Sequence, residues 1–496
     1  MNRSASPGLG QWITVLLLVT MTVFLFFKLY QFAGAREYYP TGLTIAGVDV
    51  GGMNREEAST VLNNRYLEAP IIIYHGENKV EISPTDAEFT LDLEAMLSQA
   101  DYQRFQQDFW AGFWGFLWGR PVEVDPVPLY ATHNREELRE TLKSIATLTD
   151  QPAQPPQPIP ATMSFQFGES GTKTNIEASF SNVEAALYRP SSREARLIVE
   201  PLNPDRPDIN LLTRLMVNYL QDFETTNNGV ASVFIYDLNT GQELSLNADM
   251  PMSGTDVLRI PIVLELYRQL DNVPTLLQRQ LISDTLVIQP DVASANQLLG
   301  QISGTDDAYA GAEQVTNSLQ KMGLVNSYIL TPFGEDPRAG QRPLTTPANS
   351  SEEIRTQPGS YAQMTAEDIG LLLADLYYCA QGKGGTITAV FTGDVTQEEC
   401  QEILNYMSQN NIESLFEEGV PKDVTLAHRH GWISDTHSDA GIVFTPGGNY
   451  VIVGMLYKPD WLEWETSSPI LSDISRAAYN YFNYSQPYFG GLSTAN

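Results

Sequence analysis

Asp256-Val257-Leu258-Arg259 opens an apolar stretch of helical spacing, LRIPIVLELYRQL, and sets an acid three residues ahead of a guanidinium. A carboxylate at a helix start meets backbone N–H groups that lack intrahelical partners and the positive end of the helix dipole, and residues three apart share a face. The spacing therefore predicts an Asp256–Arg259 ion pair. Two hydroxyls, Ser253 and Thr255, lie just upstream, and Ser253 has Asp256 rather than a lysine three residues on. A second group lies in AHRHGWISDTHSDAG, where His428 and His430 alternate onto one face of a strand, with His437 or Asp439 opposite across the hairpin. Such a set fits zinc, but His-x-His on a strand is a weak metal signal and hydrogen-bonded histidines are the commoner state, so no metal ligand is assigned.

The elements that must position these groups follow from residue periodicity. INLLTRLMVNYLQDF puts Ile209, Leu212, Leu215, Met216, Tyr219 and Leu220 on one helical face and marks the start of a domain near Asp208. Strand-like VASVFIYDL and QELSLNA follow, joined by a turn at Asn239-Thr240-Gly241. A mainly helical region then runs from about Asp256 to Met407, with helix starts at Thr365/Asp368 and Thr396/Glu399. Strands return as VTLAHRHGWI, DAGIVFT and NYVIVGMLYK, and ILSDISRAAYNYF reads as a final helix. This order predicts an α+β fold: a five-stranded antiparallel sheet built from both ends of the segment, flanked by terminal helices, with an all-helical subdomain between.

Upstream, capping-box-like starts recur at Asn54/Glu57, Asn134/Glu137 and Ser181/Glu184. A strand-like segment follows the first and third (APIIIYH and EARLIVEP), which predicts a separate N-terminal α+β module of two lobes, 36–149 and 162–205. Between them the prolines of 150–161 force extended backbone and read as a spacer. A length of 496 residues at roughly 150 per domain predicts about three units. The formal charge of −31 repels phosphate backbones, which argues against nucleic-acid binding.

Trp12 to Phe27 carries no charge, and with Lys28 snorkelling and apolar character continuing to Ala35 it reaches the roughly 20 residues needed to span a bilayer. Residues 12–35 are read as a signal anchor, with 1–11 cytoplasmic on the strength of Arg3 and the bulk of the chain extracytoplasmic. The alternative is a cleavable signal peptide ending at Ala33-Gly34-Ala35. The only two cysteines, Cys379 and Cys400, fall at helix ends on either side of GKGGT and are expected to pair in an oxidising compartment. WAGFWGFLW sets Trp110, Trp114 and Trp118 at i, i+4 and i+8, the mark of a helix packed into its own lobe or docked at a membrane interface.

The order of elements and the local words VFIYDLNTGQELSLNAD, LRIPIVLELYRQL, ASANQLL and AHRHGWISDTHSDAGIVF resemble the class A β-lactamase and penicillin-binding-protein-like serine hydrolases over about residues 206–486. GVDVGGMNREEA and the material to about residue 205 resemble a peptidoglycan-binding domain of bacterial envelope proteins, and 487–496 form a tail. The first resemblance implies three motifs. S-x-x-K, the nucleophile and its base, falls on Asp256 and Arg259. S-D-N falls on Pro290-Asp291-Val292, counted back from Asn296. K-T-G falls on Arg429-His430-Gly431, keeping the cation and the glycine. Glu335, in TPFGEDPRAG, lacks the E-x-x-x-N context of the family's helper glutamate and is given no role.

A carboxylate is a poor acyl nucleophile, and a guanidinium with a pKa above about 12 cannot serve as a base. With the nucleophile and base both vacated, the resemblance implies a rate loss on the order of 10⁴ to 10⁶. The expectation is a membrane-anchored pseudoenzyme with degenerate motifs and no cofactor, binding peptidoglycan, a muropeptide or a wall protein, with Arg429 facing a ligand carboxylate. The alternative is an active β-lactamase or peptidoglycan hydrolase acting through a displaced Ser253 or Thr255.

Overall fold

The computed structural model describes residues 9–106, 108–287 and 292–490. It falls into two units, residues 1–154 with 169–204, and residues 155–168 with 205–496.

The first unit begins with α1 (Leu9–Ala35), a helix long and apolar enough to cross a membrane. Helix α2 (Arg55–Asn63) starts at the predicted capping box, Asn54 with Glu57. Strands β1 (Ile71–His75) and β2 (Asn78–Ile82) form a hairpin, followed by α3 (Leu93–Gln106), α4 (Phe109–Leu117) and α5 (Arg135–Thr149). Helix α6 spans Ile176–Leu187, and β3 (Glu194–Arg196) pairs parallel with β1. Ser181, expected to start a helix, lies inside α6. Asn175 caps the helix instead, accepting the Ala178 N–H, because Ile176, Phe180 and Val183 extend the apolar face one turn upstream.

The two helix-plus-strand segments thus join one sheet, and residues from Tyr39 to Leu197 share one apolar core. Half of the expected spacer is also structured. Gln157–Ile159 pairs with Ser164–Gln166, and Asn480 Nδ2 donates to Met163 O at 2.9 Å, so this hairpin belongs to the second unit. Proline keeps the backbone extended, and buried Met163 and Phe165 supply the packing that a free linker lacks.

In the second unit, α7 (Ile209–Thr225) leads into β4 (Val230–Asp237) and β5 (Glu243–Leu246). The helical region comprises α8 (Arg259–Gln269), α9 (Leu276–Leu286), α10 (Val292–Ser303), α11 (Ala308–Lys321), α12 (Ala366–Ala380), α13 (Thr386–Val390) and α14 (Gln397–Met407). Strands β6 (Thr425–Trp432), β7 (Thr436–Phe444) and β8 (Tyr450–Tyr457) precede α15 (Trp464–Phe482). The sheet runs β5-β4-β8-β7-β6, every pair antiparallel, with β6 at an edge. Helix α15 starts earlier than its apolar run suggests and carries Pro469 at its sixth position, where the ring removes one intrahelical N–H donor.

Both faces of the sheet are covered, and its inner strand β8 is buried along its whole length. Val451, Val453 and Met455 of β8 meet the helical region, and Tyr450, Ile452 and Leu456 meet α7 and α15. Helix α8 is buried from Arg259 to Tyr267, so its apolar character extends around the whole circumference. Cys379 of α12 and Cys400 of α14 form a disulfide, with Cα atoms 6.0 Å apart. Closing a loop of this size removes about 3 kcal/mol of denatured-chain freedom in the chain-entropy model. Replacing both cysteines by alanine is expected to lower unfolding stability by about that amount, read as the shift of the urea midpoint.

Candidate active site

Asp256 lies where the sheet edge meets the helical region. It opens a 3-10 turn, Asp256–Leu258, that runs directly into α8. Thr255 caps the turn by accepting the Val257 N–H. Gly431 of β6 lies against it: a Cβ there would come within 2.5 Å of Asp256 N and 2.9 Å of Thr255 Oγ1, so only glycine fits.

Two guanidinium groups converge on the Asp256 carboxylate. Arg259 Nη2 is 2.8 Å from Oδ1, and Arg429 Nη2 is 3.4 Å from Oδ2. Both arginine side chains have no exposed surface, while the Asp256 side chain keeps 20 %. The last two carbonyls of α9 complete the cradle, Thr285 O accepting from Arg259 Nη1 at 3.4 Å and Leu286 O from Arg429 Nη1 at 3.2 Å. Carbonyls at a helix C-terminus lack intrahelical donors and carry the negative end of the dipole, so cations suit them. The Phe333 ring lies 5.3 Å from the Arg259 guanidinium. Its backbone is fixed by Asn296, whose Nδ2 donates to Phe333 O and whose Oδ1 accepts from Phe333 N, each at 2.9 Å. Burial, and then the like charge of Arg259, push Arg429 down to about 10, still protonated at neutral pH.

The predicted Asp256–Arg259 pair is thus present, with a second cation that spacing alone did not place there. Arg429 is turned onto Asp256 and fully buried, instead of facing an external carboxylate from an open cleft. Asp291 and Pro290 lie outside the described residues. Val292 is the first residue of α10 and Glu335 is exposed. Ser253 Oγ accepts the Gly359 N–H at 3.0 Å, and Thr255 Oγ1 shares a 2.6 Å hydrogen bond with Ser438 Oγ. Among the described residues neither hydroxyl bonds to a nitrogen base.

The opposite face of β6 holds a second charged arrangement. His428, wholly buried, places Nδ1 2.8 Å from Asp439 Oδ1 and Nε2 2.9 Å from Glu417 Oε1. Burial alone would depress its pKa, but the two carboxylates outweigh it and raise it to about 9, making His428 an imidazolium at neutral pH. Burial opposes the charge on Asp439 and Glu417 as well, yet His428 holds both below the usual carboxylate range. His430 is pushed down to about 4, chiefly by burial, and stacks on Trp432 with ring centroids 5.6 Å apart.

His428, His430 and Asp439 bring ligand atoms within 4.8 Å of one another, so of the two options for a third zinc ligand the geometry selects Asp439. His437 instead bonds Ser467 Oγ through Nδ1. With both nitrogens of His428 donating to carboxylates, no lone pair is left for a metal unless Glu417 and a proton are displaced.

The model of the beta-lactamase enzyme family matches residues 215–482, more than half of the chain. The chain belongs to this family. Solved structures similar to it include PBP-A, 17 % identical over 57 % of this chain and 99 % of that one, with a TM-score of 0.42. A β-lactamase from Sphaerobacter thermophilus DSM 20745 is 16 % identical over 55 % of this chain and 98 % of its own, TM-score 0.41. The β-lactamase from Streptomyces albus G is 16 % identical over 53 % and 97 %, TM-score 0.40. No curated protein matches the chain.

Several partners in this β-lactamase family member carry no sequence signal. Glu417 sits in a short 3-10 turn, Leu415–Gly419, eleven residues from His428, and the Thr285 and Leu286 carbonyls have no side-chain signature. Phe333 lies in a loop whose only clue is its distance from Asn296.

Removing Asp256 would leave two buried guanidiniums without their shared counter-ion. Asp256→Ala is expected to cost about 3 to 5 kcal/mol, measured by urea unfolding. The His428 contribution, from a pKa raised from 6.5 to about 9, is fully present below pH 6.5 and is lost as pH rises through about 9. His430, lowered to about 4, adds stability above pH 6.5 that is lost as pH falls toward 4. His428→Gln is therefore expected to lower stability at neutral pH and to flatten the alkaline limb of the unfolding midpoint against pH.

Proposed function

We propose that the β-lactamase-like domain is a pseudoenzyme, and that the protein is a membrane-anchored, extracytoplasmic envelope component that binds peptidoglycan-derived muropeptides. One observation carries the first part: the position matched to the acyl nucleophile holds a carboxylate clamped by two buried guanidiniums. Acyl transfer needs a nucleophile freed by a base that accepts its proton. Here the carboxylate is tied into ion pairs, and both neighbouring cations hold their protons at neutral pH. A mixed anhydride formed at Asp256 would also have to break both pairs.

The remaining parts rest on different supports. Helix α1, free of charge from Leu9 to Phe27, fits a single-pass anchor, and the disulfide suits an oxidising compartment. The resemblance of the segment before residue 205 to peptidoglycan-binding domains favours a wall ligand. Since Arg429 is engaged with Asp256, a muropeptide carboxylate would need to exchange with that contact or bind elsewhere.

Incubation of the full chain with a fluorescent penicillin is expected to leave no covalent label after denaturing electrophoresis. A stable adduct on Ser253 or Thr255 would establish the chain as an active hydrolase. Sedimentation with purified peptidoglycan is expected to retain the protein, and loss of retention would reject a wall ligand in favour of a protein partner.

A further inference from the structure

We propose that α4 is an interfacial helix, seated among the glycerophospholipid headgroups at the extracytoplasmic end of α1. The inference rests on the reading of α1 as a membrane anchor. Helix α4 is short and strongly divided. Phe109, Phe113 and Phe116 turn toward α1, with ring centroids 5.4, 5.7 and 5.5 Å from Phe32. Trp110, Trp114 and Trp118 turn away and are 58 %, 52 % and 72 % exposed. Packing into its own unit thus accounts for the phenylalanine face and leaves the tryptophan face uncovered.

Helix length fixes the level of this contact. At about 1.5 Å per residue, the 27 residues of α1 span about 40 Å, more than the roughly 30 Å of a hydrocarbon core. The charge-free run ends at Phe27, and Lys28, whose Nζ lies 5.8 Å from the Phe116 ring centroid, marks the boundary. Phe32, the residue that α4 grips, is one turn further out. The tryptophans therefore lie at the depth where an indole can bury its ring while its N–H stays hydrated.

Charge agrees with this placement. A cavity of about 1030 Å³ beside α4 is lined by Arg36, Arg104 and Arg120, together with Asp108 and Glu123. Asp108 is occupied in capping α4, where it accepts from Trp110 N and Ala111 N. Arg104 pairs with Asp101. Among the described residues, Arg36 and Arg120 have no carboxylate partner, although acids outnumber bases 60 to 29 in the chain. Arg36 stacks instead on Phe105 and Phe109, each 5.3 Å away, so the guanidinium is held at the aromatic surface, where lipid phosphates would lie.

The two native cysteines are tied in a disulfide, so a single introduced thiol can be labelled selectively. Full-length W114C and W118C, with L148C as control on an 85 % exposed helix position, would be labelled with a polarity-sensitive fluorophore and reconstituted in phosphatidylcholine liposomes. Some of the lipid would carry a nitroxide near the glycerol backbone. Emission at positions 114 and 118 is expected to be blue-shifted and roughly halved by the nitroxide lipid, with position 148 unaffected. Alkaline carbonate extraction reads α1 separately. Retention in the membrane with 114 and 118 no more quenched than 148 overturns the interfacial helix alone, whereas release by carbonate overturns the anchor and this inference together.

Discussion

A single carboxylate shared by two buried guanidiniums holds the edge of the sheet to the helical region. Asp256 reaches Arg259 within its own turn and Arg429 across on β6, and both arginines also donate to the final carbonyls of α9. The start of α8, the end of α9 and the edge strand are thereby fixed by charge. Two cations against one anion is an unbalanced arrangement at low dielectric, and the pKa of Arg429 is depressed first by burial and then by the like charge of Arg259. The helix-end carbonyls and the Phe333 ring disperse part of the excess positive charge.

The same strand carries an opposite imbalance on its other face, where His428 is one cation between two carboxylates. Buried charge on both sides of a strand is costly to assemble and weak grounds for high stability. This also bears on chemistry: Asp256, Arg259 and Arg429 are committed to each other, so a ligand arriving there competes with partners already in place.

Much of the architecture was legible because long periodic runs are strong signals. The five strands, the buried helix behind Asp256, the disulfide and the caps at Asn54, Thr365 and Thr396 follow from local spacing. The start of α6 was misplaced because Ser181 mimics a cap, although the apolar face continues to Ile176. The join between the two N-terminal helix-plus-strand segments was hidden, because pairing of Ile72–Tyr74 with Glu194–Arg196 is a long-range parallel contact without local signature. At the site, Asp256 with Arg259 was readable from three-residue spacing. The inward turn of Arg429 and the role of Glu417 depend on what packs against each face of β6, which no local pattern records.

Gly431 bears on how faithfully β6 must align. Slipping the strand by one residue would exchange its two faces, turning His428 toward Asp256 and Arg429 toward Glu417 and Asp439. Arg429 would meet carboxylates again, while His428 would leave the two that keep it protonated, so charge alone guards against the mistake only in part. The lone position without a side chain forbids it, because an imidazole or an indole from residue 430 or 432 would be driven into the backbone of Asp256. The smallest residue in the strand thus acts as its alignment pin, adding a steric guard to the partial electrical one.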